Sequence, residues 1–441
     1  MASSNTSPFP FRITTHTIPS QHIREFPRAT LSSQEDILCI SVKQYTPLDN
    51  PTPQPGDITI LGAHANGFPK ELYEPLWADL HRRAKSHGFQ IRGIWIADVA
   101  NQGYSGTLNE HVFGNDPSWH DHARDLLHLT NVFRADMPRP IVGIGHSFGA
   151  SVLTKLSLLH PRLLTTIVLL DPTITPTSFE HRSPGKSPAR ASAFRREVWP
   201  SRAAAAESFR RSPFYQSWDP RVLDAWVQHA LRDTPTALFP DPEKDGAVTL
   251  RTTKHQEMFT YLRPLWPYVD PVTRQVDRDG APDFDHPDGQ IKLQETENPF
   301  PFYRSEGPSV LKHLPEVRPS VLWVFGGDSE LAEPEGRKLK TETCGVGAGG
   351  SGGMKLGRVD TVVIEGRGHL FPMEIPDECA KHAATWIGKE MVRWREKERE
   401  YEEWVKLPVK EKTTLSDKFL NNIGRPPPRK TKFVAGSESK L

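Results

Sequence analysis

Cysteine is scarce in this sequence of 441 residues, which contains three: Cys39, Cys344 and Cys379. They lie far apart and form no CxxC pair, so their spacing argues against a disulfide framework and a zinc site and fits a reducing compartment. The acidic run between 277 and 288 lacks the glycine and glutamate positions of a calcium loop, and we interpret it as a solvated turn. We predict neither a metal nor a cofactor.

Long apolar runs and an excess of one charge are also missing. No stretch reaches the ~18 apolar residues that suggest a membrane-spanning helix, and the first residues contain no apolar signal-peptide core. The 55 Lys and Arg residues balance 54 Asp and Glu residues, which argues against a general nucleic-acid binder. We therefore expect neither a membrane span nor a nucleic-acid partner.

Short apolar runs alternate with helical patterns along most of the chain. This alternation predicts parallel βαβ units in an α/β fold, and the continuous apolar strands predict a mostly parallel sheet with helices on both faces. The regularity breaks in a segment rich in proline, charge and aromatics, which is too long for a loop and which we predict to be an inserted helical lid. The predicted division is a core at 1–172 and 315–407, a lid at 173–314, and a C-terminal tail at 408–441.

The sequence Gly145-His146-Ser147-Phe148-Gly149 matches G-x-S-x-G between a predicted strand and a predicted helix. In that context the motif is a nucleophile elbow, a sharp turn that lifts the serine hydroxyl above the sheet. The glycines leave room for this strained turn. A second match at 349–353 follows no strand, and neither does the G-x-G-x-x-G pattern at 345–350, so we interpret this glycine-rich segment as a flexible loop.

A nucleophilic serine needs a base, and the base needs an acid to orient it. The order after an elbow is Ser, acid, His, and of the later histidines (His181, His229, His255, His286, His313, His369 and His382) only His369 lies just beyond a predicted strand. We therefore predict Ser147 as nucleophile and His369 as base. Two acids qualify: Asp171, at the end of the strand after the elbow helix, and Asp328, which is one place before the usual position, held here by Ser329. Asp171 is preferred and Asp328 is the alternative.

An oxyanion hole completes such a site with two backbone N–H groups. One belongs to the residue after the nucleophile, Phe148. The other should come from the loop His64-Ala65-Asn66-Gly67-Phe68 after an earlier strand, where we predict Asn66 as the donor. We expect His64 to brace this loop and His146 to pack beside the site.

Several of these segments together resemble the α/β-hydrolase superfamily: the loop 64–68, the elbow, Leu169-Leu170-Asp171-Pro172 and Gly366-Arg367-Gly368-His369-Leu370. The glycine stretch 346–353 and the final Ser439-Lys440-Leu441 narrow the resemblance to fungal peroxisomal hydrolases of secondary metabolism. Those include the acyl-CoA hydrolase of mycophenolic acid biosynthesis and hydrolases of Alternaria toxin clusters. The resemblance implies a thioester substrate, favours Asp171 as the acid, and allows a homodimer.

Three functions remain open. The first is hydrolysis of an acyl thioester such as an acyl-CoA by Ser147, Asp171 and His369, with the aromatic lid supplying an apolar acyl pocket. The second is a carboxylester or lipid hydrolase with the same residues, and the third is a binding protein that has lost turnover. The C-terminal Ser439-Lys440-Leu441 predicts recognition by the peroxisomal import receptor and a location in the peroxisomal matrix.

Overall fold

The computed structural model describes residues 9–176, 188–241, 245–284 and 302–426. The chain forms two compact units, Met1–Met391 and Val392–Leu441. This division does not test the predicted core, lid and tail, which stay a prediction.

Thirteen β-strands are present in the described ranges. In chain order they are β1 (Phe11–Pro19), β2 (Cys39–Pro47), β3 (Ile58–Ala63), β4 (Ile91–Ala97), β5 (Ile141–His146), β6 (Thr166–Leu170), β7 (Val198–Trp199), β8 (Leu231–Asp233), β9 (Val248–Leu250), β10 (Arg263–Pro264), β11 (Phe302–Tyr303), β12 (Ser320–Gly326) and β13 (Val359–Ile364).

The α-helices in the same ranges number fifteen. They are α1 (Glu74–Ala84), α2 (Gly103–Leu108), α3 (Trp119–Val132), α4 (Phe148–Leu159), α5 (Pro188–Ala193), α6 (Arg202–Arg211), α7 (Pro213–Gln216), α8 (Pro220–His229), α9 (Lys254–Tyr261), α10 (Glu306–His313), α11 (Pro334–Thr343), α12 (Phe371–Glu374), α13 (Pro376–Lys406), α14 (Val409–Thr413) and α15 (Asp417–Ile423). Over the described part of the chain, none of the helices has the length and apolar character needed to span a membrane.

The main sheet has eight strands in the order β1-β2-β4-β3-β5-β6-β12-β13. The strand β2 pairs antiparallel with both β1 and β4, and the pairs from β4 to β13 are parallel. The central strands β3, β5, β6 and β12 are buried at every residue. Full burial explains their continuous apolar sequences, because a strand covered on both faces needs no polar alternation.

Side chains on opposite faces of the central strands meet different helices. On β12, Trp323 and Phe325 belong to the buried cluster that includes residues of α3 and α4. Ser320 is an odd number of residues away from both and therefore faces the other side of the sheet, where its hydroxyl donates a hydrogen bond to Glu390 of α13 at 2.7 Å. Because successive strand residues point to opposite faces, the sheet is covered by helices on both sides, as the sequence predicted.

The described part of 173–314 contains the helices expected of a lid, but it also contains five short strands. The strands β7, β9 and β8 form a three-stranded antiparallel sheet, and β10 pairs with β11. Each is two or three residues long, too short for a sequence periodicity to reveal.

The glycine-rich segment 345–353 is an ordered loop, contrary to the flexible loop expected from its composition. The N–H groups of Gly345 and Gly347 donate to Leu314 and Pro315, and Ser351 N–H donates to Val317. These partners lie about thirty residues earlier, so the composition of the loop alone could not reveal them. Repeated backbone hydrogen bonds fix the loop against the segment that precedes β12.

A methyl group added to this loop should destabilise the fold. A Cβ at Gly350 would lie 2.3 Å from the carbonyl oxygen of Pro315 and 2.5 Å from that of Gly345, so we expect Gly350→Ala to lower the free energy of unfolding by about 1–3 kcal/mol. The control is Gly336→Ala in α11, where the added Cβ meets no atom within 4 Å and should raise stability by about 0.5–1 kcal/mol. Urea unfolding measures both variants. A Gly350→Ala protein as stable as wild type would contradict the rigid-loop interpretation.

Candidate active site

The nucleophile elbow forms at the end of β5. Ser147 adopts φ 56° and ψ −118°, a left-handed region that non-glycine residues enter at a cost and mostly at functional sites. The two motif glycines permit the turn by close approach. A Cβ at Gly149 would lie 2.3 Å from the carbonyl oxygen of Ala63, and one at Gly145 would lie 2.7 Å from that of Gly149. At the elbow the backbones of β3, β5 and α4 therefore approach so closely that no side chain fits at either glycine.

Ser147, His369 and Asp171 form one chain of hydrogen bonds. The distance between Ser147 Oγ and His369 Nε2 is 2.8 Å, and His369 Nδ1 lies 2.6 Å from Asp171 Oδ2. The bond to Asp171 favours a proton on Nδ1, which leaves Nε2 as the acceptor for the serine proton. The structure therefore brings together the three residues preferred from the sequence. Their catalytic roles remain a prediction.

Asp171 is buried and held from three directions. Besides His369, it accepts hydrogen bonds from Ser329 Oγ and from the Gly326 N–H, the latter at 3.1 Å. Burial alone would raise the pKa of this carboxyl, but the hydrogen bond and charge of His369, with the bonds from Ser329 and Gly326, hold its pKa below the ordinary value. These donors favour the charged form of the carboxylate. Asp171 also has a positive φ, 44°, so a second corner of the site carries a strained backbone.

The alternative acid, Asp328, points elsewhere. Its side chain is exposed, and its backbone N–H donates to the carbonyl of Arg367. Ser329, which occupies the usual acid position, donates to Asp171 instead. The sequence excluded Ser329 as an acid but gave no hint of this supporting contact.

Phe148 is part of the elbow, and the loop predicted to supply the second oxyanion donor begins at His64, whose carbonyl approaches Gly149. Neither the N–H of Asn66 nor that of Phe148 donates a hydrogen bond to any residue within the described ranges. The loop around Asn66 is held through side chains: Asn66 Nδ2 donates to the Glu257 carbonyl at 3.1 Å, and Gln102 bonds both Asn66 and Gly67. Two backbone donors thus remain available, although their role as an oxyanion hole is still a prediction.

His64 and His146 have structural contacts. His64 is fully buried, with Nδ1 2.8 Å from the Ala65 carbonyl and Nε2 accepting from Val99 N–H at 3.0 Å. His146 bonds Tyr73 through Nδ1 at 2.9 Å and the His369 carbonyl through Nε2 at 3.1 Å. Burial, helped by the neighbouring His369, lowers the pKa of His146 to about 3. A neutral His146 therefore braces the loop that carries His369.

A hydrogen bond from Ala65 N–H to the Tyr73 hydroxyl, 2.9 Å long, extends this connection to the oxyanion loop. The sequence did not predict this role of Tyr73. Its hydroxyl position, eight residues after Ala65, could not be inferred from spacing alone, because the segment 70–73 is a 3-10 turn. The two loops that flank Ser147 are thereby joined through Tyr73 and His146.

Aromatic residues of the predicted lid pack against the predicted oxyanion loop at 64–68. The ring of Phe68 lies 5.5 Å from Trp218 and 5.9 Å from Trp226, between centroids, and 6.4 Å from His146. On the other side, Asp219 N–H donates to the Met373 carbonyl in α12, just after His369. The lid therefore contacts both segments that carry the predicted site.

A buried histidine beside Phe148 has no evident partner. His122 stacks on Phe148 with 6.4 Å between ring centroids, and neither of its ring nitrogens has a hydrogen-bond partner among the described residues. Burial, with smaller effects from His64 and Arg24, lowers the pKa of His122 well below the ordinary value. A histidine that stays neutral when folded opposes folding in acid, because the unfolded chain takes up the proton first.

Replacing this histidine should make the protein more resistant to acid. A histidine in the unfolded chain has a pKa of about 6.5. Below that pH, a histidine that stays neutral in the folded protein lowers the free energy of unfolding by up to about 1.4 kcal/mol per pH unit. We expect His122→Phe to remove this contribution from the slope of unfolding free energy against pH. Loss of two unsatisfied nitrogens should add about 1 kcal/mol at pH 7. Urea unfolding from pH 7 to pH 5 provides the measurement, with His160→Phe at the exposed end of α4 as control. An unchanged slope in His122→Phe would refute this account.

Comparisons with known proteins show which family this chain belongs to. The model of the alpha/beta hydrolase family matches residues 60–382. A type I acyl-CoA thioesterase, mpaH', from Penicillium brevicompactum is 43% identical over 410 residues, covering 89% of this chain and 91% of the relative. The Abhydrolase domain-containing protein AFT2-1 from Alternaria alternata is 31% identical over 58% of this chain and 87% of its own length.

Among solved structures, the peroxisomal alpha-beta-hydrolase Lpx1 from Saccharomyces cerevisiae aligns with a TM-score of 0.64 at 16% identity, covering 92% of this chain and 99% of that chain. At that identity the likeness concerns the fold alone. The resemblance and fold class predicted from the sequence are confirmed. Because the family model spans well over half of its residues, the chain belongs to the alpha/beta hydrolase family.

Proposed function

We propose that this protein is a serine hydrolase that cleaves acyl thioesters, with an acyl-CoA as its substrate class. The observation that carries the proposal is the hydrogen-bonded chain from Ser147 through His369 to Asp171. Two backbone N–H groups that we predict as the oxyanion hole, those of Asn66 and Phe148, have no acceptor among the described residues. Together they supply a nucleophile, a base, an acid and two donors for developing negative charge.

In the first half-reaction, Ser147 Oγ attacks the thioester carbonyl carbon while its proton moves to His369 Nε2. The carbonyl oxygen becomes negatively charged and accepts hydrogen bonds from the Asn66 and Phe148 N–H groups, each contributing a few kcal/mol to the barrier reduction. The carbon–sulfur bond breaks, the sulfur takes the proton from His369, and the acyl group stays on Ser147. Asp171 keeps the imidazole oriented and stabilises its charged form.

In the second half-reaction, water attacks the acyl-enzyme carbonyl and gives a proton to His369 Nε2. The bond between the carbonyl carbon and Ser147 Oγ breaks, and His369 returns the proton to Oγ. The products are a carboxylic acid and the free enzyme. His369 thus acts as base and then acid in each half, which requires the Nδ1 contact with Asp171 to persist throughout.

The thioester class is favoured over an oxygen ester by the relative named an acyl-CoA thioesterase, with which the chain aligns over most of both lengths. The aromatic rings around Phe68, Trp218 and Trp226 favour an apolar acyl group near the site. A carboxylester or lipid hydrolase is the second candidate, since the same residues serve both leaving groups. Matched acyl-CoA and oxygen esters of the same acyl chains, compared by kcat/KM, separate the two.

Substitution of the predicted acid provides the sharpest test of the site. We expect Asp171→Asn to lower kcat by about 10³–10⁴-fold, because an amide at that position disfavours the catalytic tautomer of His369. The control, Asp328→Asn, changes an exposed carboxyl of similar sequence context and should leave kcat close to that of wild type. Thiol release from a panel of acyl-CoAs measures both, with Ser147→Ala as the inactive reference.

If Asp328→Asn lowers kcat more than Asp171→Asn does, Asp328 is the acid of the site. Turnover retained by Ser147→Ala would reject the serine mechanism itself. A protein that neither turns over any ester nor reacts at Ser147 with a fluorophosphonate probe would be a binding protein that kept the fold.

We further propose that the protein acts in the peroxisomal matrix, delivered by the import receptor that reads a C-terminal Ser-Lys-Leu. The motif is Ser439-Lys440-Leu441, which lies outside the described residues. A homodimer belongs to the same proposal and is tested by the mass of the purified protein in solution.

Removal of the final Leu441 should abolish import. In a fungal cell, a fluorescent protein fused to the N-terminus of the full chain should co-localise with a peroxisomal marker, and deletion of Leu441 should leave it diffuse, because the receptor reads the terminal tripeptide. A matched Ser437→Ala variant alters a residue just outside the tripeptide and should still be imported. Unchanged peroxisomal fluorescence after the deletion would argue for another targeting signal.

A further inference from the structure

Thr173 touches the predicted nucleophile. Its Oγ1 lies 3.1 Å from Ser147 Oγ. The same residue is fixed to the elbow by its backbone, because its N–H donates to the Ser147 carbonyl at 3.1 Å and its carbonyl accepts from Ser151 Oγ at 2.7 Å. Thr173 follows Asp171 by two residues, so the segment that carries the acid also carries this hydroxyl.

The direction of the Thr173 hydrogen bond follows from the available protons. The Ser147 hydroxyl has one proton, and the 2.8 Å contact with His369 Nε2 uses it. A hydroxyl can donate one hydrogen bond and accept two, so Ser147 Oγ accepts the bond from Thr173 and Thr173 Oγ1–H is the donor. Ser147 Oγ therefore has two neighbours able to supply a proton or a hydrogen bond: His369 and Thr173.

A donor at Oγ affects the two half-reactions differently. During acylation, Oγ donates electrons to the carbonyl carbon, so a hydrogen bond to its lone pair does not assist the attack. During deacylation, Oγ leaves with the electrons of the carbon–oxygen bond and gains negative charge, which a hydrogen-bond donor stabilises. The same contact thus favours release of the acyl group over its formation.

We propose that Thr173 is a catalytic residue of deacylation, whose hydroxyl donates a hydrogen bond to Ser147 Oγ as that oxygen leaves the second tetrahedral intermediate. The inference rests on the proposed function, since it requires an acyl-enzyme at Ser147. In this step water has already added to the carbonyl carbon and passed its proton to His369 Nε2. The carbon–Oγ bond then breaks, His369 gives its proton to Oγ, and Thr173 keeps its own proton throughout.

The experiment compares Thr173→Val, which has nearly the same shape and lacks the hydroxyl, with Thr173→Ser, which retains it. The probe is 4-nitrophenyl acetate, because its good leaving group makes acylation fast and the acetyl-enzyme is detectable by intact-protein mass spectrometry. Ser151→Ala is the matched control: it removes the bond to the Thr173 carbonyl and leaves the Thr173 hydroxyl in place. The rate of Ser147 labelling by a fluorophosphonate reports nucleophile activation independently of deacylation.

For Thr173→Val we expect a burst of 4-nitrophenol, accumulation of acetyl-enzyme and steady-state turnover slowed about tenfold, the loss typical of one hydrogen bond to a charged group. Fluorophosphonate labelling should stay near the wild-type rate, which also shows that the variant is folded. Thr173→Ser and Ser151→Ala should both turn over without accumulating acetyl-enzyme. That combination supports the role of the hydroxyl.

Two results would overturn the inference while leaving the proposed hydrolase intact. One is wild-type turnover by Thr173→Val. The other is an equal loss of fluorophosphonate labelling and turnover in Thr173→Val and Ser151→Ala, which would give Thr173 a role in shaping the elbow only. If wild-type Ser147 reacts with neither the fluorophosphonate nor 4-nitrophenyl acetate, the proposed function fails together with the inference.

Discussion

The close approach of two backbones at the elbow is the constraint on which the predicted site depends. With no side chain at Gly149, α4 begins against the carbonyl groups of Ala63 and His64 at the end of β3. This contact places the N–H of Phe148 next to the loop that contains Asn66. The parallel pairing of β3 with β5 then fixes the height of Ser147 relative to that loop. Main-chain geometry thus sets the positions of Ser147 and Phe148, and side-chain hydrogen bonds then hold the loop around Asn66.

The predicted acid, Asp171, follows a different strand from the one after which the usual acid position lies. Asp171 follows β6, and the backbone of Gly326 at the end of the neighbouring β12 donates to its carboxylate. Ser329, three residues after Gly326, adds a hydroxyl donor. The strand β12 therefore leads to hydrogen-bond donors rather than to a carboxylate, and the charged form of the buried Asp171 is favoured by Gly326, Ser329 and His369.

The sequence was sufficient for features that depend on local pattern. Continuous apolar runs predicted the buried strands, and the placement of Gly145 to Gly149 between a strand and a helix predicted the elbow. The choice between Asp171 and Asp328 could not be settled in this way, because both follow strands and the difference lies in the direction of one side chain. Thr173 was missed for the same reason: its contact with Ser147 arises from a turn after Asp171, and turns of this kind have no periodic signal.

Long-range contacts explain the other discrepancies. The glycine segment 345–353 has the composition of a flexible loop, but its N–H groups find acceptors in 314–317, which no local rule can anticipate. The sequence predicted a helical lid and missed its short strands. These strands are stabilised by pairing with one another, which their own sequence does not reveal. Composition describes a segment in isolation, whereas these segments acquire their structure from distant partners.

The lid and the predicted oxyanion loop share hydrogen bonds, and this has a thermodynamic consequence. In α9, the carbonyl of Glu257 accepts from Asn66, and Thr260 accepts from Gln102, which also bonds Gly67. Displacement of α9 would break these bonds, so the position of α9 and the order of the loop are coupled. Such coupling is reciprocal: any interaction that holds α9 in this position also favours the ordered loop, and any interaction that orders the loop favours this position of α9.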